Sequence, residues 1–318
     1  MKIFLTGADT FLGKSVINEL VRREHNVVTL VDNEDIGRSI KARNVDYIVG
    51  NLIEGGQWCD SIQKVDSVIS LTKPFRMGEK VSIDKLSEYS HRHTEMVTNL
   101  IKGAAGGTAR SVTVTYSTQC FGDRKGKWAS DADSIDPIGY CRTMTGSFEA
   151  IDRVGQDAEL PIISLYPSLV YGAGGWFKML VDSFLNGTAK VVSPGDNYLS
   201  LIHVDDAAAI YALAAEKLDK TDSFIVSDDR PVRQRVLMDF IADMLNKPIA
   251  PLVDSETYSK DFGVLASEAM ASSTRVDGLK IMGVLGFAPK LRSYETGIPS
   301  TLESMGITPR KAELEEAA

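Results

Sequence analysis

The chain has 318 residues, a net charge of −8, an apolar fraction of 43% and a charged fraction of 25%. These values are typical of a globular protein large enough for one big α/β unit or two domains, and the acidic balance argues against a nucleic-acid partner. No apolar run reaches the ~18 residues of a membrane span. The three cysteines form no C-x-x-C pair, which predicts unpaired thiols in a reducing, cytoplasmic compartment.

The first 22 residues have the pattern of a strand, a glycine turn and a helix. An apolar run at residues 2–6 predicts a buried strand, Gly7 ends it, and residues 14–22 carry apolar side chains at helical spacing. Such a turn points free backbone N–H groups at a phosphate. A second strand, Asn26–Val31, ends on Asp32, about 20 residues after Gly13, where a carboxylate can accept hydrogen bonds from the ribose of NAD. The sequence therefore predicts a dinucleotide site.

The loop between the two glycines departs from the pattern G-x-x-G-x-x-G at its middle position. Thr10 stands where a glycine normally lets the pyrophosphate approach the backbone. We expect its β-branched side chain to push the cofactor back or to weaken binding. Phe11 and Leu12 complete the predicted cofactor-binding turn with Gly7 and Gly13.

Strands and helices then alternate as far as residue 166. Strands are predicted at residues 45–49, 67–71, 111–115 and 161–165, and long helices at 82–105 and 137–154. This alternation predicts a parallel sheet with helices on both faces. Ligands of such sheets lie at the carboxyl ends of the strands. The residues that fall at such ends are Gly7, Asp32, Asn51, Thr72, Ser117 and Pro167.

Beyond residue 167 the pattern loosens. A turn-rich loop at residues 170–175 precedes helices near 176–185, 204–216 and 232–245 and a strand at 223–226, whereas residues 251–268 are hard to assign. We expect residues 1–166, with parts of 200–230 returning to the sheet, to form the dinucleotide-binding domain. Residues 167–306 are expected to form mainly a smaller substrate-binding lobe, and residues 307–318 a flexible tail.

Six short motifs occur in one order along the chain: residues 6–13, 50–52 and 117–122, then Tyr140, then residues 166–172 and 202–206. Together they resemble the extended short-chain dehydrogenase/reductases, the NAD-dependent epimerase/dehydratase family that includes UDP-galactose 4-epimerase and nucleotide-sugar dehydratases. The resemblance extends to about residue 304.

The resemblance implies a Rossmann-type doubly wound sheet with a smaller C-terminal α/β lobe, and a homodimer that buries the helices at residues 82–105 and 137–154. The implied partner is a small-molecule substrate, such as a nucleotide sugar or a similar metabolite. The implied cofactor-binding residues also include Leu52, Leu71, Lys73, Tyr140 and Leu169.

In this family a Ser or Thr orients the substrate oxygen, and a Tyr exchanges its proton while hydride moves to or from the nicotinamide. Ser117 and Tyr140 match these catalytic positions. A phenol with a pKa of ~10 is only about 0.1% ionised at pH 7, so the family places a Lys four residues after the Tyr to lower that pKa. Here that position is Met144, and Lys73 could reach the cofactor from the other side. Without a cation, proton transfer is expected to be about 100- to 1000-fold slower.

Two further residues depart from the family. Asn51 replaces an acid that faces the adenine amine, although its amide keeps an acceptor. Tyr166 replaces an Arg, which removes a cation beside a phosphate-bearing substrate.

Two functions therefore stay open: an NAD(P)-dependent epimerase/dehydratase-type oxidoreductase that acts on a hydroxyl or keto group, and a non-catalytic NAD(P)-binding sensor or assembly protein. NAD is favoured because Asp32 would repel a 2′-phosphate, but Arg38 and Lys41 keep NADP open.

The remaining candidates receive structural interpretations. His91 and His93 lie two residues apart on a helix, so we predict no metal site. His203 precedes a helix and is expected to fix that turn. Cys120 and Cys141 flank the catalytic pair and are interpreted as packing thiols.

Overall fold

The computed structural model describes residues 1–40, 45–75 and 81–310. Its strands in chain order are β1 (Lys2–Thr6), β2 (Asn26–Val31), β3 (Val45–Val49), β4 (Ser67–Ser70), β5 (Val112–Thr115), β6 (Ile162–Pro167), β7 (Leu169–Tyr171), β8 (Val191–Val192), β9 (Tyr198–Leu199), β10 (Leu201–His203), β11 (Asp222–Val226), β12 (Val232–Arg233) and β13 (Leu252–Val253).

The α-helices are α1 (Phe11–Arg22), α2 (Glu34–Ile40), α3 (Gln57–Ile62), α4 (Leu86–Ala104), α5 (Phe148–Asp157), α6 (Gly175–Leu185), α7 (Val204–Lys217), α8 (Gln234–Met244), α9 (Ser255–Phe262), α10 (Val264–Ala271), α11 (Leu279–Leu285) and α12 (Tyr294–Ser304). Short 3-10 helices occupy Ile83–Lys85, Thr118–Phe121 and Gly139–Met144.

Seven parallel strands form the central sheet, in the order β11-β6-β5-β4-β1-β2-β3. The predicted doubly wound α/β fold is confirmed. The inner strands β4, β5 and β6 are buried along their whole length, as expected for a sheet covered on both faces. β11 joins the edge beside β6, so the chain returns to the sheet after leaving it.

Helices cover both faces of the sheet and form two separate cores. On one face α1 packs on α7, and its buried residues Val16, Ile17 and Leu20 recur at helical spacing. On the other face α3, α4 and α5 cover the sheet through side chains that include Trp58 and Ile151. A third core, formed by α6, α8 and α12 with their short strands, lies in the C-terminal part. Within the described ranges, no helix combines the length and the apolar character needed to cross a membrane.

The long helix predicted at residues 137–154 is wrong. The segment forms the 3-10 helix Gly139–Met144, and α5 begins only at Phe148. Gly139 has φ +53°, outside the helical region. The hydroxyls of Thr143, Thr145 and Ser147 each donate to the carbonyl three residues back, which favours short turns over a continuous helix.

The prediction of three unpaired thiols is also wrong. Cys120 and Cys141 form a disulfide with Cα atoms 5.4 Å apart, and only Cys59 is free. The two paired residues lie in separate 3-10 helices, so no local spacing in the sequence indicates the bond. The predicted tail falls mostly outside the described residues, which end at Arg310.

A buried carboxylate on α7 contributes to the attachment of the C-terminal segment. Asp206, only 2% exposed at the start of α7, accepts hydrogen bonds from the backbone N–H groups of Lys290 (2.9 Å) and Leu291 (3.0 Å). We expect Asp206→Ala to lower the free energy of unfolding by about 2 kcal/mol, because two N–H groups lose their acceptor. Denaturant unfolding measures this effect. The neighbouring Asp205, whose side chain is 78% exposed, is the control, and equal losses in both Ala variants would contradict the assignment.

Candidate functional site

The glycine turn lies against the carboxyl end of β4. Gly7 has φ +73°, and a Cβ atom there would lie 2.8 Å from the carbonyl oxygen of Leu71. A Cβ atom on Gly13 would lie 2.0 Å from the carbonyl oxygen of Gly7. Both positions therefore need glycine, because β1, the turn and the start of α1 pack too closely for any side chain.

Thr10 caps α1. Its hydroxyl donates to the Gly7 carbonyl (2.7 Å) and accepts from the Gly13 N–H (3.0 Å). The side chain is thus bonded within the loop, which differs from our expectation that it pushes the cofactor back. A Thr directly before a helix is a standard N-cap, a signal that the sequence analysis missed.

The first N–H groups of α1 stay available for a phosphate. In the part of the chain that the structure describes, the N–H groups of Phe11 and Leu12 have no acceptor, whereas those of Gly13 and Lys14 are bonded to Thr10. Unpaired N–H groups at a helix N-terminus are the donors that a pyrophosphate needs. The turn therefore fits a dinucleotide.

Asp32 and Asn51 follow neighbouring strands and have different roles. Asp32 is exposed at the end of β2, as the ribose interaction requires. The side-chain oxygen of Asn51 accepts from the N–H groups of Ile53 (2.9 Å) and Glu54 (2.7 Å), so its acceptor capacity is used by its own turn. Asn51 stays a predicted cofactor residue whose side-chain oxygen already accepts two hydrogen bonds.

The predicted cofactor residues Leu52, Leu71 and Thr72 differ from Lys73 in their burial. Leu52, Leu71 and Thr72 are buried, and the Thr72 hydroxyl donates to that of Thr6 at 2.6 Å, joining the ends of β4 and β1. Lys73 follows directly and reaches solvent.

Desolvation by the protein around its ammonium group lowers the pKa of Lys73. It has no ion-pair partner within residues 1–40, 45–75 and 81–310. Arg38, by contrast, pairs with Asp35 at 3.2 Å, and Lys41 lies outside the described residues.

Ser117 and Tyr140 lie on adjoining turns that Gln119 connects. The Ser117 hydroxyl accepts from the Gln119 N–H (3.3 Å), and the Gln119 side-chain oxygen accepts from the Tyr140 N–H (3.0 Å). The Gln119 carbonyl also accepts from the Ile138 N–H at 3.0 Å. The structure thus brings the two predicted catalytic residues together, through a Gln for which the sequence offers no signal.

Aromatic side chains surround Tyr140. Its ring lies 5.3 Å from that of Phe75, which contacts Tyr89 edge to face. Burial raises the pKa of Tyr140, and no cation of the described residues offsets this increase. Burial raises the pKa of Tyr258 to about 12, and the nearby Tyr140 contributes to this increase.

Met144 faces the core rather than the crevice. It is 3% exposed and belongs to the same core cluster as Cys141 and Tyr116. A 3-10 helix has three residues per turn, so Thr143 aligns with Tyr140 and donates to its carbonyl at 2.7 Å. The position of the family lysine is therefore rotated away from the phenol.

Helices α9 and α10 of the C-terminal part close over this turn. Glu268 accepts from the Gly139 N–H (3.0 Å) and from the Arg142 guanidinium (3.3 Å). Arg142, the cation nearest to Tyr140 in sequence, is therefore already in an ion pair. A Cβ atom on Gly139 would lie 2.9 Å from that of Ala269. Tyr258 and Glu268 fall in a segment whose irregular sequence hid them.

The next predicted residues lie at the end of β6 and the start of β7. Tyr166 is 4% exposed and stacks on Tyr116 (5.2 Å between centroids), so its side chain packs in the core. Pro167 ends β6, and the half-buried Leu169 begins β7. His203 fixes the start of α7 by accepting from the Asp205 N–H at 3.2 Å, which confirms that interpretation. No group of three or more potential metal ligands occurs among the residues that the structure describes.

Comparisons with known proteins give a consistent result. The model of the family described as NAD dependent epimerase/dehydratase matches residues 3–226. A 2-alkyl-3-oxoalkanoate reductase from Stenotrophomonas maltophilia is 23% identical over 264 residues, which cover 78% of this chain and 77% of the reductase.

Two solved structures share the fold. A dTDP-glucose 4,6-dehydratase from Streptomyces venezuelae, with NAD bound, has a TM-score of 0.80 at 16% identity. The matched residues cover 95% of this chain and 96% of the dehydratase chain. A human epimerase family protein with NADPH has a TM-score of 0.78 at 14% identity, with 95% and 98% covered.

The buried position of Met144 predicts that a lysine there does not restore the family arrangement. We expect Met144→Lys to lower the free energy of unfolding by about 3 kcal/mol or more, because the ammonium group would lie unpaired in the core. The volume-conserving Met144→Leu should cost less than about 1.5 kcal/mol. Denaturant unfolding compares the two. A stable Lys variant with a lowered pKa of Tyr140 would show that position 144 faces the phenol after all.

Proposed function

The chain belongs to the NAD-dependent epimerase/dehydratase family, and we propose that it is an NAD(P)-dependent oxidoreductase that interconverts a hydroxyl and a keto group of a small molecule. The observation that carries this proposal is the junction of Ser117 and Tyr140 through Gln119. A hydroxyl that orients the substrate oxygen and a phenol that exchanges its proton are the two groups that this reaction needs.

The proposed cofactor site follows the β1 turn. The N–H groups of Phe11 and Leu12 would hold the pyrophosphate, and Asp32 would accept from the adenosine ribose, which favours NAD over NADP. Leu52, Leu71, Thr72, Pro167 and Leu169 would line the crevice. The nicotinamide, when bound, supplies or accepts the hydride.

Tyr140 is proposed as the proton donor of a reduction. Because burial raises its pKa above the usual ~10, the phenol is protonated at neutral pH. A protonated phenol can donate to the alkoxide that forms when hydride reaches a ketone. The reverse oxidation needs the phenolate and should become faster as the pH rises.

Lys73 is proposed to supply the positive charge that Met144 does not. It follows β4 two residues before Phe75, whose ring contacts that of Tyr140. It also lies just after the β4 end that packs on the Gly7 turn. Within the described part of the chain no charge acts on the Tyr140 phenol, so the proposed interaction requires the exposed Lys73 side chain to turn toward the cofactor and the phenolate.

The aromatic surroundings of Tyr140 favour a keto substrate with an apolar part. The Phe75 ring contacts that of Tyr140 and is itself contacted by Tyr89, and Arg142 is already paired with Glu268. The similarity to a 2-alkyl-3-oxoalkanoate reductase supports such a substrate. A nucleotide sugar, as in the dehydratase that shares the fold, is the second possibility that we test.

A non-catalytic NAD(P)-binding sensor or assembly protein is the alternative function. It is favoured by one observation: no cation of the described residues lowers the pKa of Tyr140. This alternative predicts cofactor binding without turnover of any ketone. The homodimer and the cytoplasmic location stay predictions, with α4 and the shortened α5 as the proposed interface.

Tyr140→Phe tests the proposed reaction. We expect NADH oxidation with a panel of small ketones and nucleotide sugars to fall about 100- to 10,000-fold, because the proton donor is lost. NADH binding, followed by fluorescence, should weaken far less than turnover, because the proposed contacts of the β1 turn with the pyrophosphate stay in place. Tyr47→Phe is the control, since its hydroxyl donates to the exposed Glu34 and has no role in the proposed reaction. Unchanged turnover in Tyr140→Phe would refute the role of the phenol.

Replacement of Lys73 tests the source of the positive charge. In Lys73→Met, the pH midpoint of alcohol oxidation should rise by about one unit, equal to ~1.4 kcal/mol, because the phenolate loses a favourable charge. Lys73→Arg should keep the midpoint, and Lys247→Met, on an exposed turn, is the control. A midpoint that stays fixed in Lys73→Met would leave Tyr140 without this partner.

A further inference from the structure

The Cys120–Cys141 disulfide joins the two turns that carry the proposed catalytic residues. Cys141 directly follows Tyr140, and the Cys120 N–H donates to the Ser117 carbonyl at 3.0 Å. The bond therefore connects Cys141, the residue after the proposed proton donor Tyr140, to Cys120, whose backbone is hydrogen-bonded to that of Ser117. The disulfide is buried, since Cys120 and Cys141 are 0% and 1% exposed.

The turns that it joins have little stability of their own. The 3-10 helices contain four and six residues, and such segments have weaker hydrogen-bond geometry than an α-helix. The continuous α-helix predicted at residues 137–154 does not form, so Tyr140 lies outside any α-helix. Besides the disulfide, the two turns share core packing and are linked by hydrogen bonds from residues 136–140 to Gln119 and Cys120, while Glu268 of α10 bonds to the Gly139 N–H.

We propose that the Cys120–Cys141 disulfide positions Tyr140 relative to Ser117, and that its reduction to two thiols slows proton transfer without removing the cofactor. This inference rests on the proposed function, because the two cysteines act through Tyr140 and Ser117 and touch no reacting atom. A geometric change of 1 Å between a catalytic group and its substrate can cost about 100-fold in rate, so a loosened turn has a large effect.

The bond forms by exchange with a low-molecular-weight disulfide of the glutathione class. One cysteine thiolate attacks the external disulfide, which releases the first small thiol and leaves a mixed disulfide. The second cysteine then attacks the protein sulfur of that mixed disulfide and releases the second small thiol. The protein loses two electrons and two protons, and the external disulfide becomes two thiols. A dithiol reductant reverses both steps. Since both sulfurs are buried, each exchange requires local opening of a turn.

The first test counts thiols in the full chain. Alkylation in denaturant without reductant, read by mass spectrometry, should label Cys59 alone, and prior reduction should give three labels. Three labels without reduction, in protein kept under a glutathione disulfide buffer, would overturn the proposal.

The second test separates positioning from general stability. Reduced wild-type protein and the double variant Cys120→Ser/Cys141→Ser should both lose about tenfold or more in kcat, while the KM for NADH changes less than about twofold. Cys59→Ser should respond to reductant like wild type, and the double variant should not respond. Equal kcat in oxidised and reduced protein, or a parallel loss of cofactor binding, would contradict a positioning role.

A readout without turnover keeps this inference separate from the proposed function. Amide hydrogen exchange at residues 138–144 should become faster on reduction, while exchange in β1 and α1 stays the same. If oxidised protein reduces no ketone but this local change occurs, the proposed reaction fails and the structural connection stands. Unchanged exchange at residues 138–144 overturns the connection, whether or not the protein turns over.

Discussion

The close approach of the β1 turn to the end of β4 is the contact on which the crevice depends. Gly7 packs against the Leu71 carbonyl, and the Thr72 and Thr6 hydroxyls bond directly above it. This contact places the N-terminus of α1 beside the segment that continues through Lys73 to Phe75. Since Phe75 contacts Tyr140, one chain segment connects the proposed pyrophosphate site to the proposed site of proton transfer.

The sheet could be predicted from the sequence because its strands are coded locally. Lys2–Thr6, Asn26–Val31 and Val45–Val49 form strands with the predicted bounds, since buried parallel strands are continuous apolar runs ended by turn residues. Parallel order then places their carboxyl ends at one edge. The turn residues of the cofactor crevice could therefore be proposed before any contact was known.

The site around Tyr140 could not be predicted in the same way. Whether residues 139–144 form an α-helix or a 3-10 helix depends on the φ angle of Gly139 and on hydroxyls such as that of Thr143, which compete with the backbone. The direction of Met144 depends on that outcome. Gln119, Tyr258 and Glu268 come close to the turn that carries Tyr140 only through tertiary packing, and none belongs to a recognisable spacing.

The departures from the family pattern have different physical meanings once their surroundings are known. Thr10 caps its own helix, Asn51 is bonded within its own turn, and Tyr166 packs in an aromatic cluster of the core. Each change is thus absorbed locally and does not by itself weaken the case for turnover. Met144 differs, because it stands where the family has a lysine, and the phenol of Tyr140 therefore lacks that neighbouring positive charge.

What distinguishes this site is therefore its electrostatics. A Tyr140 whose pKa is raised is poorly suited to abstract a proton at neutral pH but well suited to donate one. An oxidation–reduction cycle, as in an epimerase, needs both directions at similar rates, whereas a net reduction needs only the donor. For the reaction proposed above, a methionine at position 144 fits the reduction of a ketone better than reversible epimerisation, and the positioning of the proposed proton donor then depends more on the geometry of the two short turns.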